Sequence, residues 1–397
     1  MDWLEKYLEY TSSHEAPEIF HRWSALTGIA GVVNRKAWLI RKSARTGLRF
    51  IQYPGQLMVV LVAGSGECRK STTVGFIEQI LRRAELVDLY SGRITPERLL
   101  AKLAGLKGGA ILTVICDELS YFFSKAKYAE SMIENILKLS AAKDKDEYET
   151  QEHQRVLTNA CFTALLATTP ESLGTSIPAV AHGKGFMVRF VWVFADTPRA
   201  SDAMIDSDEG DEDITKLNTP LGIELVAGLK AIGLLKGRVI VDAEAREWFR
   251  KWYMAYRELP DSKGEGWPAR RHEHLARTAM VLGIARRSEL TITVKDFEEA
   301  DRMLTDVEAG FPKAFAYIGR HTADEQNRRI IELFNRFGPE LTTKEITRRA
   351  AHFFRDSKEL RVALDTLKDA GTIIRLVIDA GHPENTTWVL ANISGKK

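Results

Sequence analysis

The sequence predicts an α/β fold that is built around a parallel sheet. Three short apolar stretches support this prediction: Leu57–Ala63, Ala110–Glu118, which ends in two acidic residues, and Ala160–Ala167. Uninterrupted apolar stretches of this length are typical of strands buried on both faces of a parallel sheet. Amphipathic helical patterns separate them, so we expect strands and helices to alternate along the chain.

Composition limits the class of protein. The chain has 397 residues, of which 45% are hydrophobic and 28% charged, which is ordinary for a soluble protein of two or three domains. The net charge of +2 argues against a uniformly basic surface, so any nucleic-acid binding must rest on local patches. The first residues have no signal-peptide pattern, and we expect a cytoplasmic protein. Cys68, Cys116 and Cys161 lack the spacing of a zinc site and are predicted to be reduced core thiols.

Residues 1–53 are predicted to form a helical region followed by a hairpin. Helical periodicity covers residues 1–35 with a helix start at Pro17, and two β-like segments, Ala37–Ile40 and Leu48–Tyr53, flank a turn at 43–47.

Residues 54–200 are predicted to form the core, which begins with a phosphate-binding loop. The strand at 57–63 runs into a glycine-rich turn and a helix, which is the context such a loop requires. Backbone N–H groups would face the phosphates of ATP, Lys70 would reach the β- and γ-phosphates, and Ser71 would bind Mg²⁺. An ordinary strand–turn–helix unit is the alternative. The predicted nucleotide contacts are Gly64, Ser65, Gly66, Glu67, Cys68, Arg69, Lys70, Ser71 and Thr72.

Arg69 departs from the motif G-x-x-x-x-G-K-[ST], because it stands where the second glycine belongs. This substitution bears on the tightness of the loop and on nucleotide affinity. We expect its side chain to point away from the phosphates, since Lys70 and the metal already supply positive charge.

The strand at 110–118 matches a Walker B pattern. Asp117 would hold the Mg²⁺ shell and Glu118 would polarise the attacking water. A buried strand that ends in a solvated acidic turn is the alternative. A short strand at Leu86–Tyr90 and a helix capped by Thr95 are expected before it.

Two polar positions near the later strands are further candidates. Thr168-Thr169-Pro170 follows the strand at 160–167. Thr168 at the strand tip would sense the γ-phosphate, or a threonine here would simply cap the next helix. Arg189 precedes the last apolar strand, where a charge must be paired or lie at the end of the sheet, in or near the nucleotide crevice. We favour an arginine finger over a structural ion pair.

Residues 201–320 are predicted to form an acidic linker, dense in acid over Asp202–Asp213, and a helical lid. Arg270 and Arg271 open a helical pair, and the nearby His272 and His274 are expected at the surface because they lack metal-ligand spacing.

Residues 321–397 are predicted to form a winged helix, from two helices followed by a two-stranded ribbon. Its second helix carries three basic residues that would suit DNA, namely Lys358, Arg361 and Lys368. A protein-contact module fits the same pattern equally well.

The order of these elements resembles the AAA+ family of ATPases, and the segment from Arg270 resembles the lid of minichromosome-maintenance helicases. The whole chain resembles helicase-like ATPases of phages, prophages and plasmids, which share the variant Arg-Lys-Ser loop, the TPE-x-L-L helix and the Gly-Phe-x-x-Arg-Phe segment. The resemblance implies that Arg270 touches the γ-phosphate and that Arg189 completes the site of a neighbouring subunit.

The resemblance therefore implies a Mg²⁺-ATP-dependent DNA helicase or translocase that works as a ring, with a hexamer expected and a primase or replication initiator as candidate partner. The segment Lys143–Arg155 would project into the pore, where Lys143, Lys145 and Arg155 would contact single-stranded DNA. A solvated loop is the alternative for this segment. Two other functions stay open: an ATPase that loads or remodels a protein partner, and a nucleotide-binding module without turnover.

Overall fold

The structure is a computed structural model that describes residues 2–43, 46–123, 126–149, 154–177, 185–200, 217–257, 266–315, 320–350, 354, 357–377 and 386–391. The chain divides into two compact units, residues 1–316 and 317–397. The boundaries predicted near 53 and 200 fall inside the first unit. Among the described residues, no helix is long and apolar enough to span a membrane.

The N-terminal elements are α1 (Trp3–Tyr10), α2 (Glu18–Val33), β1 (Ala37–Lys42) and β2 (Arg49–Gln52). Asp2 caps α1 by accepting hydrogen bonds from the N–H groups of Leu4 and Glu5. Helix α2 is buried on nearly every face, because its small and apolar residues let neighbouring elements pack all around it. Strands β1 and β2 pair antiparallel, which is the predicted hairpin.

The remaining elements of the first unit follow in chain order. They are β3 (Met58–Val62), α3 (Lys70–Ala84), β4 (Leu89–Tyr90), α4 (Pro96–Ala104), β5 (Ile111–Cys116), α5 (Ser120–Phe123), α6 (Ala126–Leu139), β6 (Lys145–Glu149), β7 (Gln154–Thr158), β8 (Cys161–Thr168), α7 (Pro170–Ser176), β9 (Val191–Phe194), α8 (Pro220–Gly233), β10 (Gly237–Arg238), β11 (Ile240–Val241), α9 (Ala243–Arg257), α10 (Trp267–Arg287), β12 (Thr291–Ile292) and α11 (Val294–Ala314). Short 3₁₀ turns at Pro54–Gln56 and Met187–Arg189 precede β3 and β9.

Five strands form one parallel sheet in the order β4-β5-β8-β3-β9, which confirms the predicted α/β class. Strands β3 and β8 lie at its centre and are buried throughout. Strand β4 is shorter than predicted. Leu86, expected in that strand, instead packs against Gly233 of α8.

The connections create a crevice between the two central strands. After β3 the chain crosses through α3 to β4 at one side of the sheet, whereas after β8 it passes to β9 at the other side. Neighbouring parallel strands whose connections leave in opposite directions open a crevice at their carboxyl ends. The carboxyl ends of β3 and β8 are therefore the expected ligand-binding edge of this sheet.

Helices α10 and α11 pack on one another within the core of the first unit. Arg271 is buried and binds Asp301 and Glu308 of α11, each at 2.5 Å. His274 is also buried, and its Nε2 lies 2.9 Å from the carbonyl of Val188. The prediction that His274 lies at the surface is wrong, because α10 is enclosed on nearly all sides.

The second unit contains α12 (Arg320–Phe337), β13 (Glu340–Thr342), α13 (Thr343–Ala350), α14 (Ser357–Asp369), β14 (Ile373–Val377) and β15 (Thr387–Leu390). Its strands form an antiparallel sheet in the order β13-β15-β14, so a third strand joins the predicted ribbon. On α14, Leu360, Leu364 and Leu367 are buried, so the basic residues occupy the exposed face. The exposed set is Lys358, Arg361 and Lys368.

A buried histidine pair packs behind α3. His14 Nδ1 and His21 Nε2 lie 3.2 Å apart, and both rings contact the edge of Phe76. Burial lowers the pKa of His21 to about 3, with the neighbouring His14 adding to the effect. Burial also lowers the pKa of His14.

The lowered pKa of these buried histidines predicts that the protein loses stability as the pH falls. Between pH 6.5 and about 3 the unfolded chain binds a proton at His21 that the folded chain does not. The free energy of unfolding should therefore fall on acidification by up to about 1.4 kcal/mol per pH unit for this group. Urea unfolding at stepped pH measures it, and His21→Leu should reduce the slope by about one proton. Equal slopes for both proteins would contradict the assignment.

Candidate functional site

The loop between β3 and α3 contains two residues in the left-handed region of backbone conformation. Gly66 has φ of 76°, and Arg69, directly before α3, has φ of 46° and ψ of 40°. Glycine adopts this conformation without penalty, whereas a side chain costs about 1–2 kcal/mol. The backbone at 69 thus has the conformation that favours glycine, although the residue is an arginine.

The Arg69 side chain is directed towards the N-terminal segment. Its Nε donates a 2.6 Å hydrogen bond to Oε2 of Glu15, whose side chain is only 9% exposed. The carbonyl of Glu15 in turn accepts from the N–H of Arg199 at 2.8 Å. Glu15 therefore ties the loop to the chain before α2. Nothing in the local sequence around Glu15 indicates this role.

Lys70 lies across the end of β3. Its Nζ donates to the carbonyls of Ala63 at 2.7 Å and Gly64 at 2.8 Å. Burial lowers the pKa of Lys70, and nearby acidic groups, including Glu118, oppose that shift. The ammonium group is therefore held at the carboxyl edge of the sheet, within electrostatic range of the Glu118 carboxylate.

Elsewhere in the loop Gly64 is half-buried and Cys68 is buried, with its Sγ 3.7 Å from the carbonyl of Ala195 beyond β9. Ser65 and Glu67 are exposed, as are Ser71 and Thr72 on the first turn of α3. The carboxylate of Glu67 lies directly over Gly64, where it would overlap an added Cβ. An anion that approaches Gly64 would be repelled until Glu67 turns outward.

Two carboxylates follow β5 at the same edge. Glu118 is half-buried, and its Oε1 accepts a 3.1 Å hydrogen bond from the N–H of Ser120. Asp117 is exposed and makes no side-chain hydrogen bond or ion pair within the described part of the chain. A 2.7 Å bond from the N–H of Leu119 to the carbonyl of Ala167 joins this turn to β8.

Thr168 ends β8 beside Val62 of β3. Its side chain is buried, and its Oγ1 lies 3.4 Å from the carbonyl of Thr169. The helix cap belongs to Thr169, whose Oγ1 accepts from the N–H of Ser172 at 3.1 Å. The threonine cap predicted before this helix is therefore confirmed at Thr169, and Thr168 does not take part in it.

The carboxyl ends of β3, β5 and β8 thus gather an amine, hydroxyl groups and two carboxylates at one edge. The oxygen atoms of Ser71 and Asp117 are of the type that Mg²⁺ prefers, and both side chains are exposed. The residues present fit a magnesium-bound polyphosphate.

Arg189 lies at the opposite edge. It precedes β9, which runs parallel to β3, and β3 is five residues long, or about 16 Å. Its guanidinium donates to Ser140 Oγ at 2.9 Å and to the Gly185 carbonyl at 2.6 Å. The prediction that Arg189 lies in or near the crevice of its own chain is wrong, because strand direction places it at the amino edge.

Arg270 lies beside Arg189 and not beside Lys70. It forms a 2.9 Å ion pair with Glu273, and its charge adds to the burial that lowers the pKa of Arg189. The adjacent His274 contacts the carbonyl of Val188, which fixes this end of α10 beside the 3₁₀ turn. Two arginines predicted to serve nucleotide chemistry therefore share the amino edge.

The predicted DNA-contacting residues lie on or beside the antiparallel hairpin β6–β7. Lys143 pairs with Asp146 at 3.3 Å and Lys145 with Glu147 at 2.5 Å. Arg155 donates to the carbonyl of Glu97 at 3.4 Å. Exposed pairs of this kind are weak, so they leave the lysines open to exchange. The part of this segment at 150–153 lies outside the described residues.

Comparison with known proteins gives no family for this chain. No protein-family model matches it, and no curated protein matches it.

The backbone at Arg69 generates a prediction that separates conformation from charge. Arg69→Gly and Arg69→Ala both lose the ion pair with Glu15, but only glycine relieves the left-handed backbone. The glycine variant should be more stable than the alanine variant by about 1–2 kcal/mol in urea unfolding. Equal stabilities would show that residue 69 is not left-handed in solution.

Proposed function

We propose that the chain is a Mg²⁺-dependent ATPase of the P-loop class, with an AAA+-like core. The observation that supports it most directly is the convergence of Lys70, Asp117 and Glu118 at the carboxyl edge, beside the crevice between β3 and β8. Phosphate groups need a cation and free backbone N–H groups, which the start of α3 supplies.

Each residue then has a defined task. Lys70 exchanges its two carbonyl contacts for the β- and γ-phosphates, while Ser71 and Asp117 hold Mg²⁺. Glu118 orients a water molecule and accepts its proton, and Thr168 lies one strand away to contact the γ-phosphate. Bound Mg²⁺ would neutralise charge on the phosphates during transfer. This arrangement carries out hydrolysis of a phosphoanhydride.

Arg189 and Arg270 act on a neighbouring subunit in this proposal. They lie at the amino edge, about one strand length from Lys70 of the same chain. A subunit that presents its amino edge to the carboxyl edge of the next would supply these charges in trans. We propose a ring, with a hexamer as the expected state.

The work done with ATP is proposed to be DNA translocation, as the resemblance to helicase-like ATPases implies. The exposed hairpin β6–β7 and the basic face of α14 are the candidate DNA contacts. Loading or remodelling of a protein partner is the second candidate, favoured by Val362, which is 65% exposed on that same helix. DNA-stimulated hydrolysis and strand separation would distinguish the first function from the second.

The first test concerns turnover. Glu118→Gln should bind ATP normally but lose hydrolysis, because the water loses its base while the phosphate contacts remain. Lys70→Ala should lose binding itself. Nucleotide titration with a fluorescent analogue and release of phosphate measure the two properties. Hydrolysis by Glu118→Gln at a rate near that of the unmodified protein would show that Glu118 is not the base.

The second test concerns nucleotide affinity at position 69. Because Arg69 is directed to Glu15, Arg69→Gly should change the affinity by only a small factor. A phosphate contact would instead cost about 1.5–3 kcal/mol when removed. A loss of that size in the fluorescence titration would place the guanidinium on the nucleotide.

The third test concerns the ring. Arg189→Ala should bind ATP normally and hydrolyse it far more slowly, since an arginine finger contributes roughly 10³–10⁵ in rate. In a mixture with Lys70→Ala, an Arg189→Ala subunit keeps an intact pocket that a Lys70→Ala neighbour completes. Partial activity should therefore return when subunits exchange.

Subunit exchange is verified independently, by energy transfer between labelled subunits. No return of activity despite exchange, or full activity of Arg189→Ala alone, would remove the support for action in trans. Arg189→Lys serves as the charge-conserving control for the fold.

A further inference from the structure

A cluster of arginines surrounds one carboxylate at the amino edge of the sheet. Arg270, Glu273 and Arg277 occupy successive turns of α10, so their side chains share one face of the helix. Arg189 follows Val188 on a 3₁₀ turn, and the carbonyl of Val188 lies 2.9 Å from Nε2 of His274, one helical turn beyond Arg270 on α10. Arg41 of β1 also lies within electrostatic range of both Glu273 and Arg277.

Backbone contacts hold these elements together independently of the charges. Gln52 of β2 donates from Nε2 to the carbonyl of Glu273 at 2.5 Å, and its strand pairs with β1. Gln52 lies opposite Leu39, and Arg41 lies two residues further along the same face of that strand. The hairpin therefore brings Arg41 to α10.

The cluster carries more positive charge than it can neutralise. Arg270 already pairs with Glu273, and among the described residues Arg189 donates only to a hydroxyl and a carbonyl. Arg41 and Arg277 make no hydrogen bond or ion pair within the residues that the structure describes. In the described part of the chain, four guanidinium groups thus lie near one carboxylate, which leaves a local charge of +3 (four minus one).

Arg277 makes this excess costly. Arg277 is only 6% exposed, and its Nε is buried without a hydrogen-bond partner among the residues that the structure describes. Burial, together with the neighbouring arginines, lowers its pKa to about 10. A buried charge without a partner is strongly unfavourable, and the described residues leave Arg277 without the anion that its charge requires.

We propose that Arg41, Arg189 and Arg277 form a phosphate-binding site at the amino edge, separate from the Lys70 loop. Guanidinium groups match the oxygen atoms of phosphate in pairs, which makes arginine the usual partner of this anion. A dianionic phosphate reduces the local charge from +3 to +1, more than a carboxylate can. The site consists of residues of a single subunit, and phosphate binding to it does not depend on ATP hydrolysis.

The test uses the full chain with Lys70→Ala as background, so that the carboxyl-edge loop does not compete. Thermal unfolding is compared in inorganic phosphate and in chloride at equal ionic strength. Phosphate should raise the melting temperature in proportion to its binding. Equal melting temperatures in the two salts would overturn the proposal.

The variant Arg277→Met distinguishes a role of Arg277 in phosphate binding from a purely structural role. Because it removes an unpaired buried charge and keeps an unbranched side chain, it should leave the melting temperature in chloride unchanged or higher. The additional stabilisation by phosphate should disappear. A structural arginine would show the reverse, with a lower melting temperature in chloride and an unchanged response to phosphate, and that result would overturn the proposal.

Arg41→Gln provides a second variant at a half-buried strand position, where misfolding is not a concern. It should weaken phosphate binding about 10- to 100-fold, the loss expected for a charged hydrogen bond. Lys42→Gln is the matched control, since it removes the same charge from the next residue, which points to the opposite face. If both variants weakened phosphate binding equally, the effect would come from net charge alone, and that result would overturn the proposed site.

A competition experiment then identifies the source of the phosphate. Single-stranded oligothymidylate is titrated into phosphate-saturated protein, and the ³¹P line width of phosphate is followed. Displacement that Arg41→Gln weakens assigns the site to a nucleic-acid backbone. Retention of bound phosphate assigns it to the free anion. Both results support the site.

Discussion

The common direction of the five central strands is the constraint on which the rest of this structure depends. Because all five run parallel, the sheet has two chemically different edges. The carboxyl edge gathers Lys70, Asp117 and Glu118, whereas the amino edge gathers Arg189 and Arg270 with α10. If one of these strands ran antiparallel to the others, residues of the two sets would lie at the same edge. The proposed division between binding in one subunit and completion by another follows from this direction.

The N-terminal segment packs against α3, the helix that begins at the carboxyl edge of the sheet. Tyr10, His14 and His21 pack against Phe76 of α3, and Glu15 holds Arg69 at the start of that helix. The helix that would meet the phosphates is thus fixed at its first turn by residues from a distant part of the chain. An ion pair to a nearly buried carboxylate compensates part of the backbone cost at position 69.

Local pattern was sufficient for much of the fold. Apolar stretches predicted the central strands, and the Thr95 cap marked α4. The motifs around Lys70 and Asp117 predicted a helix start after β3 and an acidic residue after β5. The features that were predicted wrongly or missed depend on strand order or on contacts between distant residues. The edge that Arg189 occupies depends on how β9 pairs with β3. Likewise, the Glu15–Arg69 pair joins residues far apart in sequence, and neither residue type signals it.

The arrangement of the two edges has a consequence for symmetry. A two-fold dimer would serve the proposed action in trans only through a reciprocal contact, with the amino edge of each copy on the carboxyl edge of the other. The proposed ring uses a head-to-tail contact instead, in which each copy gives its amino edge to one neighbour and receives an amino edge from another. An open head-to-tail stack would end with one unmatched loop and one unmatched arginine edge. For a head-to-tail contact, closure is therefore the only finite assembly in which every copy is equivalent.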